Sequence, residues 1–283
     1  MRQRFYLCFG MLKESLVSPF ILCAYLLALL AAVKGALPFI RYADGTSMNV
    51  LEPFIILCSD CGQVCWVLLG YLVLMCNAPF INARSMQTLV RTTRTRWSDG
   101  MLIYVLLQSL LYYLFLLMVT VILAAPSGFA GNVWSRLLYS LSQYGSGVEK
   151  EVGLYVPDVS LLETWTVQQA AIHSFLLLYL YSLVLALLLF VGNLALHWIA
   201  GSVITIIVHF IGYMLISDSM FGMMKYSLFA HGILYYHDYN GLNGPEVSQS
   251  YMLFIFLAVV LCSLEHIVIR RCDFRYSISE RLS

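Results

Sequence analysis

Charged side chains are scarce in this chain. Asp, Glu, Lys and Arg together make up 11% of its 283 residues, against roughly 25% in soluble domains. Hydrophobic residues fill 61% of it, which excludes an ordinary water-soluble core and places the chain among membrane proteins. The formal net charge is +1, so the basic face that tracks nucleic-acid phosphates is missing and no nucleic-acid partner is expected. Chemistry-bearing motifs are missing as well. There is no Gly-x-x-x-x-Gly-Lys-Ser/Thr loop to cradle ATP phosphates, no His-Glu-x-x-His, no Gly-x-Ser-x-Gly elbow and no pair of intramembrane aspartates. An intramembrane enzyme is therefore the weaker of the readings left open, and a non-transporting immunity, sensor or scaffold protein is another.

Long apolar runs are abundant instead. A helix needs about 20 mostly apolar residues to cross about 30 Å of hydrocarbon, and six stretches qualify: 17–38, 53–76, 101–125, 170–191, 198–216 and 250–269. The expected fold is all-α and integral to the membrane, a single permease-like domain over 1–283. Residues 1–15 carry Arg2, Arg4 and Lys13 among Phe5, Tyr6, Leu7, Phe9 and Leu12, the pattern of an interfacial helix ahead of a retained anchor rather than of a cleaved signal.

Basic residues set the expected orientation, because Lys and Arg stay on the cytoplasmic side. With the N-terminus inside, the inner segments hold Arg2, Arg4, Lys13, Arg84, Arg91, Arg94, Arg96, Arg270, Arg271, Arg275 and Arg281. The outer side keeps only Lys34, Arg41, Arg136, Lys150 and Lys225. A multi-pass protein of the cell membrane with both termini in the cytoplasm is expected, its inner arginines also meeting anionic lipids.

Three interrupted regions stand out. Segment 77–99 runs Asn82-Ala83-Arg84-Ser85-Met86-Gln87-Thr88-Leu89-Val90-Arg91-Thr92-Thr93-Arg94-Thr95-Arg96-Trp97, with Met86, Leu89, Val90 and Trp97 spaced as the apolar side of a short helix lying along the membrane face. Region 126–169 is broken by Pro126, Gly128, Gly131, Gly145, Gly147, Gly153 and Pro157, with a short interfacial helix expected over Val133–Leu141, and forms an outer cap. Region 217–249 contains Met220 to Tyr236, too apolar for a free loop and too interrupted for a span. Backbone at membrane depth must satisfy its own hydrogen bonds, so two half-helices dipping into the outer leaflet are expected. Tyr235, Tyr236 and Tyr239 read equally well as an aromatic belt.

A lead helix, two spans, an Arg-bearing polar helix and a third span opening at Gly100-Met101-Leu102 resemble the membrane subunit of type-2 ATP-binding-cassette exporters. The resemblance is one of pattern over the whole chain. The family often has an acidic residue before the Arg-Ser-like start and a lysine near span three, where this chain has Ala83 and Asp99-Gly100. It implies that 77–99 is a coupling helix docking into a separate ATPase through Arg84, Ser85, Met86, Leu89, Arg91, Arg94 and Arg96. It also implies paired short outer helices as a gate, a second permease subunit in a homo- or heterodimer, and ATP with Mg held in the partner ATPase. This chain would bind no cofactor or metal and catalyse nothing. Cargo would be lipid-like, peptide or a hydrophobic drug.

Single residues divide between two uses. Asp60 lies inside the second span, where an ionisable group is a candidate for the translocation path; the alternative is a local hydrogen bond to Ser59 or Gln63. Phe221, Tyr235 and Tyr236 are the other gate candidates. Cys58, Cys61 and Cys65 fall on one helical face as soft-metal ligands would. The ligand count falls short of a zinc site, so packing is preferred. Glu265 is placed to pair with Arg270, while His173, His197 and His209 read as isolated packing residues. His231, His237 and Asp238 lack a known ligand spacing.

Overall fold

The computed structural model describes residues 8–13, 18–43, 45–78, 93–144, 154–196, 199–216, 223–239 and 244–271. They are mostly helical. In order come α1 (Pro19–Tyr42), β1 (Met48–Asn49), α2 (Glu52–Ser59), α3 (Cys61–Met75), α4 (Arg94–Ala124), β2 (Gly128–Phe129), α5 (Arg136–Tyr144), α6 (Val159–Thr164), α7 (Val167–Ala195), α8 (Ala200–Met214), α9 (Leu228–His231), a 3-10 turn (Leu234–Tyr236) and α10 (Val247–Arg271). Within the expected interfacial helix 1–15, residues 8–13 are described, and they are helical.

Four of these helices are long and apolar enough to span a membrane alone: α1, α4, α7 and α10. The number becomes five if α2 and α3 count together. The sequence-based reading of 53–76 as one continuous span needs correction, since α2 and α3 meet at 88°. The fifth expected span is a helix of 15 residues, Ala200–Met214, about 22 Å long at 1.5 Å per residue and short of the hydrocarbon thickness. Likewise the expected helix over Val133–Leu141 starts later, at Arg136, and buries Leu138 and Leu141.

Helices α4 and α10 run in opposite directions, since Ser98 in the first turns of one meets Glu265 near the end of the other, and the bundle has two ends. One carries Arg94 and Arg96 and is termed the arginine end. At the other, β1 and β2 pair in parallel, Met48 with Gly128 and Asn49 with Phe129; this strand end is a small departure from an all-α fold.

Helix α7 is the centre of the bundle. Its most apolar window is 72% buried, against 33%, 39% and 17% for α1, α4 and α10, so it meets protein nearly all round while the other three show a face to lipid. Helix α1 packs on α2 and α3 through small residues, Ala24, Ala28, Ala31, Ala32, Gly35 and Ala36. Apolar lipid offers no hydrophobic drive for helices to associate, so close approach of small side chains does that work. Gly70 is the matching surface on α3: a Cβ there would lie 3.1 Å from the Ala24 carbonyl.

Tyrosines stitch the interior. Tyr71 and Ser109 hydroxyls lie 2.6 Å apart, Tyr112 donates to the Val67 carbonyl at 2.7 Å, and Tyr113 forms a short bond with Ser182. These tie α3, α4 and α7 together, each at a modest gain of about 0.6 kcal/mol on average in a membrane.

At the strand end, the fully buried Glu52 opens α2. Its carboxylate accepts from the backbone N–H of Asn49 at 3.0 Å and of Ser135 at 2.6 Å. The Asn49 amide in turn donates to the Gly131 and Val133 carbonyls at 2.8 and 3.0 Å. One carboxylate and one amide thus fasten the chain after β2 to the start of α2.

Candidate functional site

The arginine end is built around the two borders of the segment between α3 and α4. On the first border, Asn193 near the end of α7 donates its side-chain amide to the Ala78 carbonyl at 2.8 Å. Its carbonyl oxygen accepts from the backbone N–H of Gly201 at 2.9 Å and of Ser202 at 3.3 Å. A single buried side chain therefore joins the chain leaving α3 to the turn between α7 and α8 and satisfies orphan donors at the N-terminus of α8. Gly192 and Gly201 make that turn possible by touching backbone to backbone, since a Cβ on Gly192 would lie 2.6 Å from the Gly201 Cα.

On the second border, Ser98 in the first turns of α4 gives its hydroxyl to Glu265 of α10 in a short hydrogen bond. The sequence-based pairing of Glu265 with Arg270 is not what forms. Glu265 is fully buried and turns toward α4, with its second oxygen 3.0 Å from His266 Nδ1; His266 Nε2 lies 3.3 Å from Asp99. Between α4, α7 and α10, next to this cluster, opens an apolar groove of about 680 Å³ lined by Leu102, Leu106, Leu183, Leu187, Ala258 and Cys262, with His266 at its polar edge.

Of the expected coupling residues, Arg84, Ser85, Met86, Leu89 and Arg91 lie outside the described residues. Arg94 and Arg96 are described and exposed. They occupy the first turn of α4, which follows Thr93 and contains no acidic residue. This is the positive end of the helix dipole, where a cation costs stability rather than adding it.

Near the strand end, the break between α2 and α3 has a local cause. Asp60 takes an extended backbone conformation and its carboxylate accepts from Gly62 N–H at 2.8 Å and Gln63 N–H at 3.4 Å. It caps α3, while Ser59 folds its hydroxyl back on the Ile55 carbonyl at 2.8 Å. Asp60 is thus a local hydrogen-bonding residue, and Asp60 with Gln63 three residues on is a capping signature legible in the sequence. The break also dissolves the expected thiol face, since Cys58 ends up on α2 and Cys61 and Cys65 on α3. No group of three or more metal-ligating side chains occurs among the described residues. Cys65 instead sits 3.8 Å from His209 Nε2, whose other ring nitrogen meets the Tyr181 hydroxyl at 2.9 Å.

Beside the break lie the expected gate residues. Phe221 falls outside the described residues. Tyr235 and Tyr236 stack edge to face with centroids 5.3 Å apart, and Tyr155 meets Tyr235 at the same distance. Tyr236 is buried next to Cys61, and the Tyr239 hydroxyl donates to the Leu234 carbonyl at 2.7 Å, so these rings pack into the protein rather than forming a belt. Burial pushes the Tyr155 and Tyr236 hydroxyls far above the usual phenol range, which leaves a neutral aromatic plug. Among the described residues of 217–249 the region where half-helices are expected holds 3-10 backbone over 223–226, one helical turn, Leu228–His231, and the 3-10 turn Leu234–Tyr236. Tyr155 was not singled out from the sequence, because nothing local marks a tyrosine that packs on a segment some eighty residues away.

No protein-family model, curated protein or solved structure matches this chain.

Proposed function

We propose that this chain is the six-span permease subunit of a type-2 ATP-binding-cassette exporter, a dimer of membrane subunits served by separate ATPase subunits that hold ATP and Mg. The observation supporting this reading is the exposure of Arg94 and Arg96 at the start of α4, on the border of segment 77–99. Two exposed cations on the border of segment 77–99 suit an anionic or polar surface, and that segment is the docking element in this reading.

The two borders of that segment suit it to transmit force. Ala78 is held by Asn193 and Ser98 by Glu265, so a push between them reaches α3, α7, α8 and α10 at once. Movement at the arginine end would then open the tyrosine plug around Tyr155, Tyr235 and Tyr236 at the outer side, in an alternating-access cycle. The apolar groove between α4, α7 and α10 favours a lipid-like or hydrophobic cargo. The chain binds and moves cargo and carries out no chemistry.

Purification of the tagged chain from its native membrane in mild detergent, with identification of bound subunits, tests this directly. A stoichiometric subunit bearing a phosphate-binding loop is expected. A purified chain with no such subunit, while cargo export persists in the same cells, would refute the assignment.

A further inference from the structure

Two imidazoles near the strand end converge on a single hydroxyl. His231 Nδ1 lies 2.7 Å from Ser250 Oγ and His237 Nε2 lies 2.8 Å from the same atom. All three residues are buried, Ser250 completely. The other nitrogen of each ring faces only carbonyl oxygen: His231 Nε2 is 3.0 Å from the Lys225 carbonyl, and His237 Nδ1 is 3.0 and 3.1 Å from those of Ile233 and Leu234.

A carbonyl accepts and never donates, so His231 must carry its proton on Nε2 and His237 on Nδ1. In the neutral rings the two remaining nitrogens are then both acceptors, and both aim at Ser250. The Ser250 hydroxyl has one proton, and it also faces the Glu246 carbonyl at 3.2 Å. Three acceptors compete for one donor, and at least one short nitrogen–oxygen contact sets lone pair against lone pair. Adding a single proton repairs this. One ring becomes an imidazolium and donates to Ser250 Oγ, while the Ser250 hydroxyl donates to the other ring. A second proton would undo it, because both rings would then donate to Ser250 Oγ while carrying like charge.

We propose that His231, Ser250 and His237 form a binding site for one proton, taken from solvent onto one ring and shared through the Ser250 hydroxyl. The site joins the segment between α8 and α10 to α10 itself, so its occupancy governs how firmly that segment is held. The inference does not depend on the exporter reading.

Other groups act on this proton. Burial holds both rings below the ordinary imidazole value, His237 at about 4, so uptake belongs to acidic rather than neutral pH. His173 on α7, with its ring 2.8 Å from the Tyr251 hydroxyl, disfavours the charge on His237 further. Lys225 and Glu246 present backbone carbonyls to the cluster and have exposed side chains. Asp238 follows His237, and Tyr239 bonds the Leu234 carbonyl that His237 also meets.

Magnetic resonance of the full chain, carrying isotope-labelled histidine in lipid nanodiscs and titrated from about pH 8 to about pH 2, reads each ring's protonation. His231→Gln and His237→Gln assign the signals. One of the two rings is expected to become an imidazolium while the other stays neutral. Ser250→Ala should lower that midpoint by about one to two pH units, the worth of a hydrogen bond to a charged group, and Ser250→Thr should restore it. Two rings protonating with one midpoint, neither ring protonating, or an unchanged midpoint in Ser250→Ala would each overturn the proposal. The one-ring or two-ring result in the unaltered chain decides the matter even if Ser250→Ala fails to fold.

Discussion

Asn193 holds the carbonyl of Ala78 at 2.8 Å, across 115 positions of chain. The bond is buried, and the same side chain's oxygen caps the start of α8 through Gly201 and Ser202. Replacement by Ala removes the partner of one carbonyl and of two backbone N–H groups, at a cost of about 1–3 kcal/mol for a buried group left unsatisfied. Asn193→Ala should lower the melting temperature of the detergent-solubilised protein, and Asn193→Asp, which keeps the acceptor for Gly201 but sets a carboxylate oxygen against the buried Ala78 carbonyl, should lower it at least as far. Equal melting of Asn193→Ala and the parent would show that this pin adds nothing to stability.

Glu52 offers a second test, at the opposite end. Its two oxygens serve Asn49 N–H and Ser135 N–H. Glu52→Ala should release the chain after β2, seen as faster proteolysis within 126–144. Glu52→Gln, able to accept at one position only, should show roughly half the effect in the same assay. Unchanged cleavage in Glu52→Ala would mean that the β1–β2 pairing holds the region without the carboxylate.

How much of this was legible beforehand depends on the range of the interaction. Composition and hydropathy place α1, α4, α7 and α10 correctly, because a span is a local property of about 20 residues. The break at Asp60 was legible in principle, since an acidic residue followed three positions later by Gln63 is a helix start; the surrounding apolar run hid it. By contrast, Asn193 with Ala78, Ser98 with Glu265 and Tyr155 with Tyr235 join positions far apart in sequence. No period or spacing announces which polar residue in an apolar helix will find which partner. Glu265 shows the same limit: Arg270 is its near neighbour in sequence, yet helix packing turns it toward α4.

The role of Asp60 separates cap from pathway. As a cap, it contributes about 0.5–2 kcal/mol through the N–H groups of Gly62 and Gln63, and Asn serves nearly as well as Asp. Asp60→Asn should therefore keep thermal stability, and on the exporter reading export as well, within a few-fold of the parent, while Asp60→Ala loses stability. A variant Asp60→Asn that folds normally yet exports nothing would assign the negative charge itself to the cargo path.

Arg94 and Arg96 allow docking to be separated from folding, because the two act in opposite directions. At the positive end of α4 an acidic side chain is favoured over a basic one by about 0.3–1 kcal/mol each. Arg94→Glu with Arg96→Glu should thus gain from the dipole, and the melting temperature weighs that gain against the contacts both side chains make within the chain. If the pair meets an ATPase, the same variant should lose the bound subunit and its cargo-stimulated ATP hydrolysis, since small interfaces rest on a few residues. Removing positive charge that the basic-residue reading places inside can also disturb insertion, so accessibility of a cysteine placed at Ser85 is measured in parallel and, on that reading, should still require membrane permeabilisation. Loss of stability together with loss of the partner would assign the arginines a structural part. Full retention of the partner by a correctly inserted, stable variant would remove both from the docking surface.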